Sequence, residues 1–202
     1  MLKRLLIFFV VHLLVITLVI NTYSDSEASE SPWDVSPMRN GQTILVLKTG
    51  NITYGDTLVL ILNNYNGKCD QIQETFNFYT TTKNTEVKKI EGKNIPIKFN
   101  EHELYAKASY VLPFLLGHRV MFSMGTYQVN EYLEYMSKYE TYSVTIVDEN
   151  LPSRVMQPHL IKNFNASDYF DVPNNSWDLK GVKEAIGKAQ KLCLEYKESK
   201  IS

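Results

Sequence analysis

Apolar and polar positions follow a period of two over most of residues 42–148 and a period near 3.6 over residues 176–196. The first period predicts strands. Residues 42–48 (QTILVLK) and 56–63 (DTLVLILN) are short apolar runs, separated by turn residues at Thr49, Gly50 and Asn51. Residues 68–81 alternate, and Ile72, Phe76 and Phe78 fall on one face together with Asp70, Glu74 and Thr80. Residues 86–99 read as two short strands around Gly92, with Pro96 marking an edge or a bulge. Residues 103–112 alternate up to a break at Pro113, a strand follows within 114–124, and residues 141–148 (TYSVTIVD) form another. Residues 126–142 fit a short helix through Val129, Tyr132, Leu133, Met136 and Tyr139. Residues 149–175 carry Pro152, Pro158 and Pro173 without periodicity and read as a long surface connection.

The second period is the clearest in the chain. Leu179, Val182, Ala185, Ile186, Ala189, Leu192, Cys193 and Tyr196 take one side of a helix, with Lys180, Lys183, Glu184, Lys188, Lys191 and Glu195 opposite. A closing amphipathic helix over 177–197, capped by Ser176 or Asp178, is therefore expected to pack on the sheet. The fold class is mainly β: an antiparallel sandwich or curved sheet of about seven or eight strands plus this helix. No βαβ alternation is present, which argues against a doubly wound sheet.

Residues 5–20 are apolar, interrupted only by His12 and Thr17, and follow Lys3 and Arg4. This pattern is a hydrophobic export helix: residues 1–22 are either a signal peptide or an uncleaved membrane anchor. In both cases the rest of the chain is exported, periplasmic or extracellular, and in the second it is tethered to the inner membrane by residues 5–20. Residues 23–40 are rich in Ser, Asp and Glu and read as a flexible tether, with Trp33 docking on the domain. Residues 41–202 form the exported β-rich domain.

Composition narrows the function classes. With a formal charge of −1 the 202-residue chain has no basic excess, so a nucleic-acid partner is not expected. In an exported chain the two cysteines, Cys69 and Cys193, predict a disulfide. No C-x-x-C, H-E-x-x-H, G-x-S-x-G or phosphate-binding glycine motif occurs, so no catalytic residue, metal ligand or cofactor is assigned. Glu101, His102 and Glu103 alternate sides if they lie on a strand, and His118-Arg119 reads as a surface pair. The richest chemistry is aromatic. Tyr127, Tyr132, Tyr135, Tyr139 and Tyr142 crowd one stretch and form a candidate surface for a protein partner. The expected function is a non-enzymatic, envelope-associated β domain that binds a protein or surface component. The alternatives are a carrier of a small apolar ligand and a hydrolase with an unrecognised site.

Overall fold

The computed structural model describes residues 33–39, 42–81, 84–149, 160–161 and 163–198. The export segment read over 1–22, the tether before Trp33 and His159 lie outside the described residues.

The strands are β1 (Asp34–Pro37), β2 (Thr43–Thr49), β3 (Thr57–Asn63), β4 (Gln71–Thr81), β5 (Asn94–Phe99), β6 (His102–Phe114), β7 (Gly117–Gln128), β8 (Thr141–Ile146) and β9 (Asn174–Asp178). Helix α1 (Val129–Met136) follows β7, and helix α2 (Val182–Glu198) follows β9. All nine strands join one sheet in the order β1-β2-β3-β4-β7-β6-β5-β8-β9, with every neighbouring pair antiparallel. The architecture is thus a single curled sheet rather than a two-sheet sandwich.

The curl is measurable in side-chain contacts. Trp177 of β9 lies 6.4 Å from both Phe76 and Phe78 of β4, although β9 is five places from β4 in the sheet order. The concave face between them is filled by Phe76 stacked on Phe122 at 4.9 Å, with Phe170 at 6.0 Å from Phe78. Such aromatic pairs add to the area they remove from water. One polar hub completes the curl. Asn175 of β9 donates through Nδ2 to Asp56 Oδ2 at 2.7 Å, and its Oδ1 accepts from the Ile52 N–H at 3.0 Å. The Tyr79 N–H donates to the other Asp56 oxygen at 2.6 Å. Both residues are buried, and each bond satisfies a group that would otherwise be stranded away from water. Gly50 lets this junction close, because a Cβ there would sit 2.4 Å from Asn175 Nδ2.

Several local expectations change. Residues 34–37, read as the end of the tether, pair with β2, and Trp33 donates through Nε1 to the Lys180 carbonyl at 3.0 Å. Residues Thr85–Ile90 form a 3-10 helix rather than a strand, because Val87 and Ile90, three apart, both turn into the core. Pro113 does not end β6. The strand runs to Phe114 because β5 covers β6 only as far as Lys107, so beyond it one edge is free to carry a proline. The connection before α2 is partly buried: Phe164 and Phe170 plug the core, and β9 occupies the residues assigned to the helix start. Helix α2 accordingly begins at Val182 and not at 177, while Asp178 Oδ1 accepts the Lys180 N–H at 2.8 Å in the preceding turn.

Helix α2 packs on β1, β2 and β3 and is joined covalently to the segment before β4 by the Cys69–Cys193 disulfide, across a sequence separation of 124. Two hydrogen bonds reinforce the junction: Asn64 Nδ2 donates to the Cys193 carbonyl at 3.2 Å, and Gln190 Nε2 to the Cys69 carbonyl at 3.1 Å.

Candidate functional site

Glu74 is the charged residue of β4 that turns toward the core, between Ile72 and Phe76 on the face that also buries Thr80. It is 5 % exposed, and among the described residues no Lys or Arg forms an ion pair with it. Its side chain lies at the head of a cleft of about 390 Å³, lined also by Phe99, Leu104, Met124, Tyr127, Glu131, Tyr132 and Tyr135. The volume is at the small end of the range of ligand pockets, roughly 300–1,000 Å³.

Local backbone chemistry builds this cleft. Opposite Glu74 the β4–β7 ladder shifts register: Glu74 faces Gly125 and Thr75 faces Ser123, leaving Met124 as the extra residue of a bulge. A bulge bends its strand and redirects a side chain, and Met124 joins the cleft wall. Gly125 provides room for the next wall, since a Cβ there would meet the Tyr127 hydroxyl at 2.9 Å. Helix α1 then begins at Val129, whose N–H donates to the Asp70 carbonyl at 2.8 Å, tying the helix to the residue before β4. Tyr132 and Tyr135, three residues apart on α1, supply the roof. The Tyr127 and Tyr132 rings are 5.8 Å apart, and Tyr135 lies 6.1 Å from Phe99.

The five tyrosines singled out in the sequence come together here but take different roles. Tyr127, Tyr132 and Tyr135 line the cleft. Tyr139 backs it, 5.5 Å from Tyr135 and 6.2 Å from Phe99. Tyr142 lies behind Phe99 at 4.5 Å. Tyr132 and Tyr142 are only 2 % and 0 % exposed, so they face inward to the acid.

Burial drives the electrostatics. Loss of water raises the Glu74 carboxyl to a pKa of about 7, while the Tyr142 and Tyr132 hydroxyls facing it act in the opposite direction. Tyr132 donates to Glu74 Oε1 at 3.4 Å. The buried Tyr142 hydroxyl completes no hydrogen bond of good geometry. Burial first, and the neighbouring Glu74 charge second, push Tyr132 and Tyr142 well above the ordinary tyrosine value, so both remain protonated donors. The result is a buried carboxyl poised near neutrality in a cleft lined by tyrosines, Phe99, two aliphatic side chains and a second acid, Glu131.

Other polar features are arranged differently. A cavity of about 460 Å³ lies between α1 and the start of α2, but of its charged groups Glu140, Lys180 and Lys183 are exposed and Asp178 is half-buried. Asp56, raised to about 6 by burial against the lowering effect of Asn175, Tyr79 and Arg119, is enclosed in the hub that closes the curl. His102 is exposed with Glu101 and Glu103, and among the described residues no group of three or more His, Cys, Asp or Glu is arranged to hold a metal ion. The disulfide lies with α2 on the β1–β3 side of the sheet.

The sequence places Glu74 on the core face of an alternating strand, with no mark that distinguishes it from Asp70 and Thr80 there. The bulge at Met124 has only the neighbouring glycine as a mark. Comparison of the chain with protein-family models, curated proteins and solved structures gives no match.

Proposed function

We propose that this protein is an exported binding domain whose cleft receives an ammonium group carried on an apolar stem. The observation that carries this reading is Glu74: a buried carboxyl with no Lys or Arg paired to it among the described residues, facing a cleft whose other lining residues are aromatic and aliphatic except for a second acid, Glu131. A buried carboxylate is costly unless it is paired, and an ammonium supplies both the charge and the N–H donors. The faces of Tyr127, Tyr132 and Tyr135 suit the same group, since a cation over an aromatic ring gains about 0.5–2 kcal/mol. Met124 and Leu104 suit the apolar stem. The disulfide supports an oxidising, exported compartment, in keeping with the export segment of residues 5–20.

The same chemistry has two sources, a small amphiphilic amine or a lysine of a protein partner. The exposed edges of Tyr127 and Tyr135 leave room for the second. Calorimetric titration at pH 8 with octylamine, octanol and octanoate tests the ammonium requirement, and a lysine-containing peptide against its norleucine counterpart tests the protein source. Octylamine is expected to bind more tightly than the other two chains, and Glu74→Gln to remove that preference by about tenfold or more, the scale of one charge-assisted contact. Equal affinity for octylamine and octanol, or preference retained in the Gln variant, refutes the reading. A peptide that binds when small amines do not assigns the cleft to a protein partner.

A further inference from the structure

The hairpin between β6 and β7 projects an apolar tip into solvent. Leu115 and Leu116 form its two-residue turn and are 76 % and 82 % exposed. Leu112, half-exposed, continues the patch along β6. The β2–β3 turn lies against it: Arg119 Nη2 donates to the Gly55 carbonyl at 3.4 Å, and a Cβ on Gly55 would meet Phe114 at 3.6 Å. That turn adds Tyr54, 86 % exposed, and the exposed Ile52. Scattered exposed apolar residues need no explanation, but several gathered on two neighbouring turns do.

Leu115 breaks two local rules at once. Its φ is 50°, the left-handed region that two-residue hairpin turns give to Gly, Asn or Asp at this first position. Solvation at so exposed a turn also favours a polar residue. Local rules broken together, with no gain inside the folded domain, mark a site whose partner lies outside it.

The chain itself indicates which partner. β1 pairs Asp34 with Leu47, so the chain enters the sheet at the end where β2 turns into β3, the end that also carries the hairpin tip. Twelve residues, 21–32, separate the apolar segment 5–20 from Trp33, a reach of at most about 40 Å. A tight two-residue turn with both side chains exposed is suited to a fluid surface more than to a preformed protein pocket. We infer that Leu115 and Leu116, flanked by Tyr54 and Leu112, insert into the interface of the membrane that residues 5–20 engage, and so fix the domain's orientation on it. This inference is independent of what the Glu74 cleft binds, and it rests on the membrane reading of residues 5–20.

Depth measurements on the full chain in vesicles of phosphatidylethanolamine and phosphatidylglycerol test it. A nitrobenzoxadiazole dye is placed through Leu116→Cys in one protein and through Glu101→Cys in another. Glu101 lies at the opposite end of the sheet, and its side chain is 88 % exposed. The native disulfide protects Cys69 and Cys193 from the dye. At 116 the emission is expected to shift to the blue and to be quenched several-fold more strongly by spin-labelled lipid than at 101. Leu115→Asn, a residue suited to the positive φ, is expected to keep the fold by circular dichroism and to reduce the quenching at 116. Water-like emission at 116 in chains that float with vesicles overturns the inference, as does equal quenching at both positions. Shielding of the dye by added membrane proteins without lipid quenching would assign the tip to a protein partner and also overturns it. Chains that do not float at all overturn both the membrane reading of residues 5–20 and the insertion.

Discussion

Glu74 shares its face of β4 with Ile72 and Phe76, both fully buried, and its carboxyl is raised from about 4.5 to about 7 by that burial. The sign of the consequence follows from proton binding. Between the two values the folded state holds a proton that the unfolded chain has lost, so this group's contribution to stability is fully present below about pH 4.5 and is lost as pH rises through about 7. At 1.36 kcal/mol per unit the loss by pH 8 is about 3 kcal/mol. Glu74→Gln is therefore expected to raise unfolding free energy at pH 8 by about 1–3 kcal/mol, less than the full loss because the amide must also find partners, and to change it little at pH 4.5. Urea titrations at the two pH values measure this, and an equal effect at both would mean that the carboxyl is not perturbed. A residue that weakens the fold at neutral pH is more readily understood as part of a site than as part of the core. At this scale the sequence was only partly informative: it placed Glu74 on the core face beside Asp70 and Thr80 without distinguishing it from them, and its tyrosine partners could be grouped but not oriented. Alternation places side chains on faces, but whether Tyr132 meets solvent or an acid depends on the β7 bulge and the entry angle of α1.

Elements with strong periodicity were readable, and those held by pairing alone were not. β2, β3, β4 and α2 carry their own apolar stripe. β1 is a four-residue edge strand defined by the ladder with β2 and by contact with α2, and its polar sequence resembles a tether. β9 does alternate, with Asn175 and Trp177 buried, but one of its two inward residues is an asparagine whose partner, Asp56, is 119 positions away. A polar residue buried for a distant hydrogen bond leaves no local pattern. The disulfide was predictable from the cysteine count and the compartment expected from residues 5–20. Cross-linking over so long a loop constrains the unfolded chain, and removing a native bond of this kind costs about 2–5 kcal/mol. The Cys69→Ala, Cys193→Ala double variant is expected to lose that much in urea titration while retaining octylamine affinity, because α2 rests on β1, β2 and β3. Loss of affinity in a variant that remains folded would place α2 in the binding site.

The sheet as a whole sets the two proposed sites apart. Its curl closes where Asn175 meets Asp56, beside the end that carries the leucine tip and the chain's entry at Trp33. Glu74 lies near the start of β4, toward the opposite end, where β5 turns into β6 and α1 begins. A domain resting on a membrane by its tip would therefore present the cleft away from the surface. The proposed pairing of Glu74 with an ammonium group is checked by titration of the Glu74 carboxyl carbon by 13C NMR, with and without saturating octylamine. A midpoint near pH 7 is expected in the free protein, with a fall of about one to three units when the ammonium pairs with the carboxylate. A midpoint unchanged by bound amine, or one already near 4.5 in its absence, would contradict it.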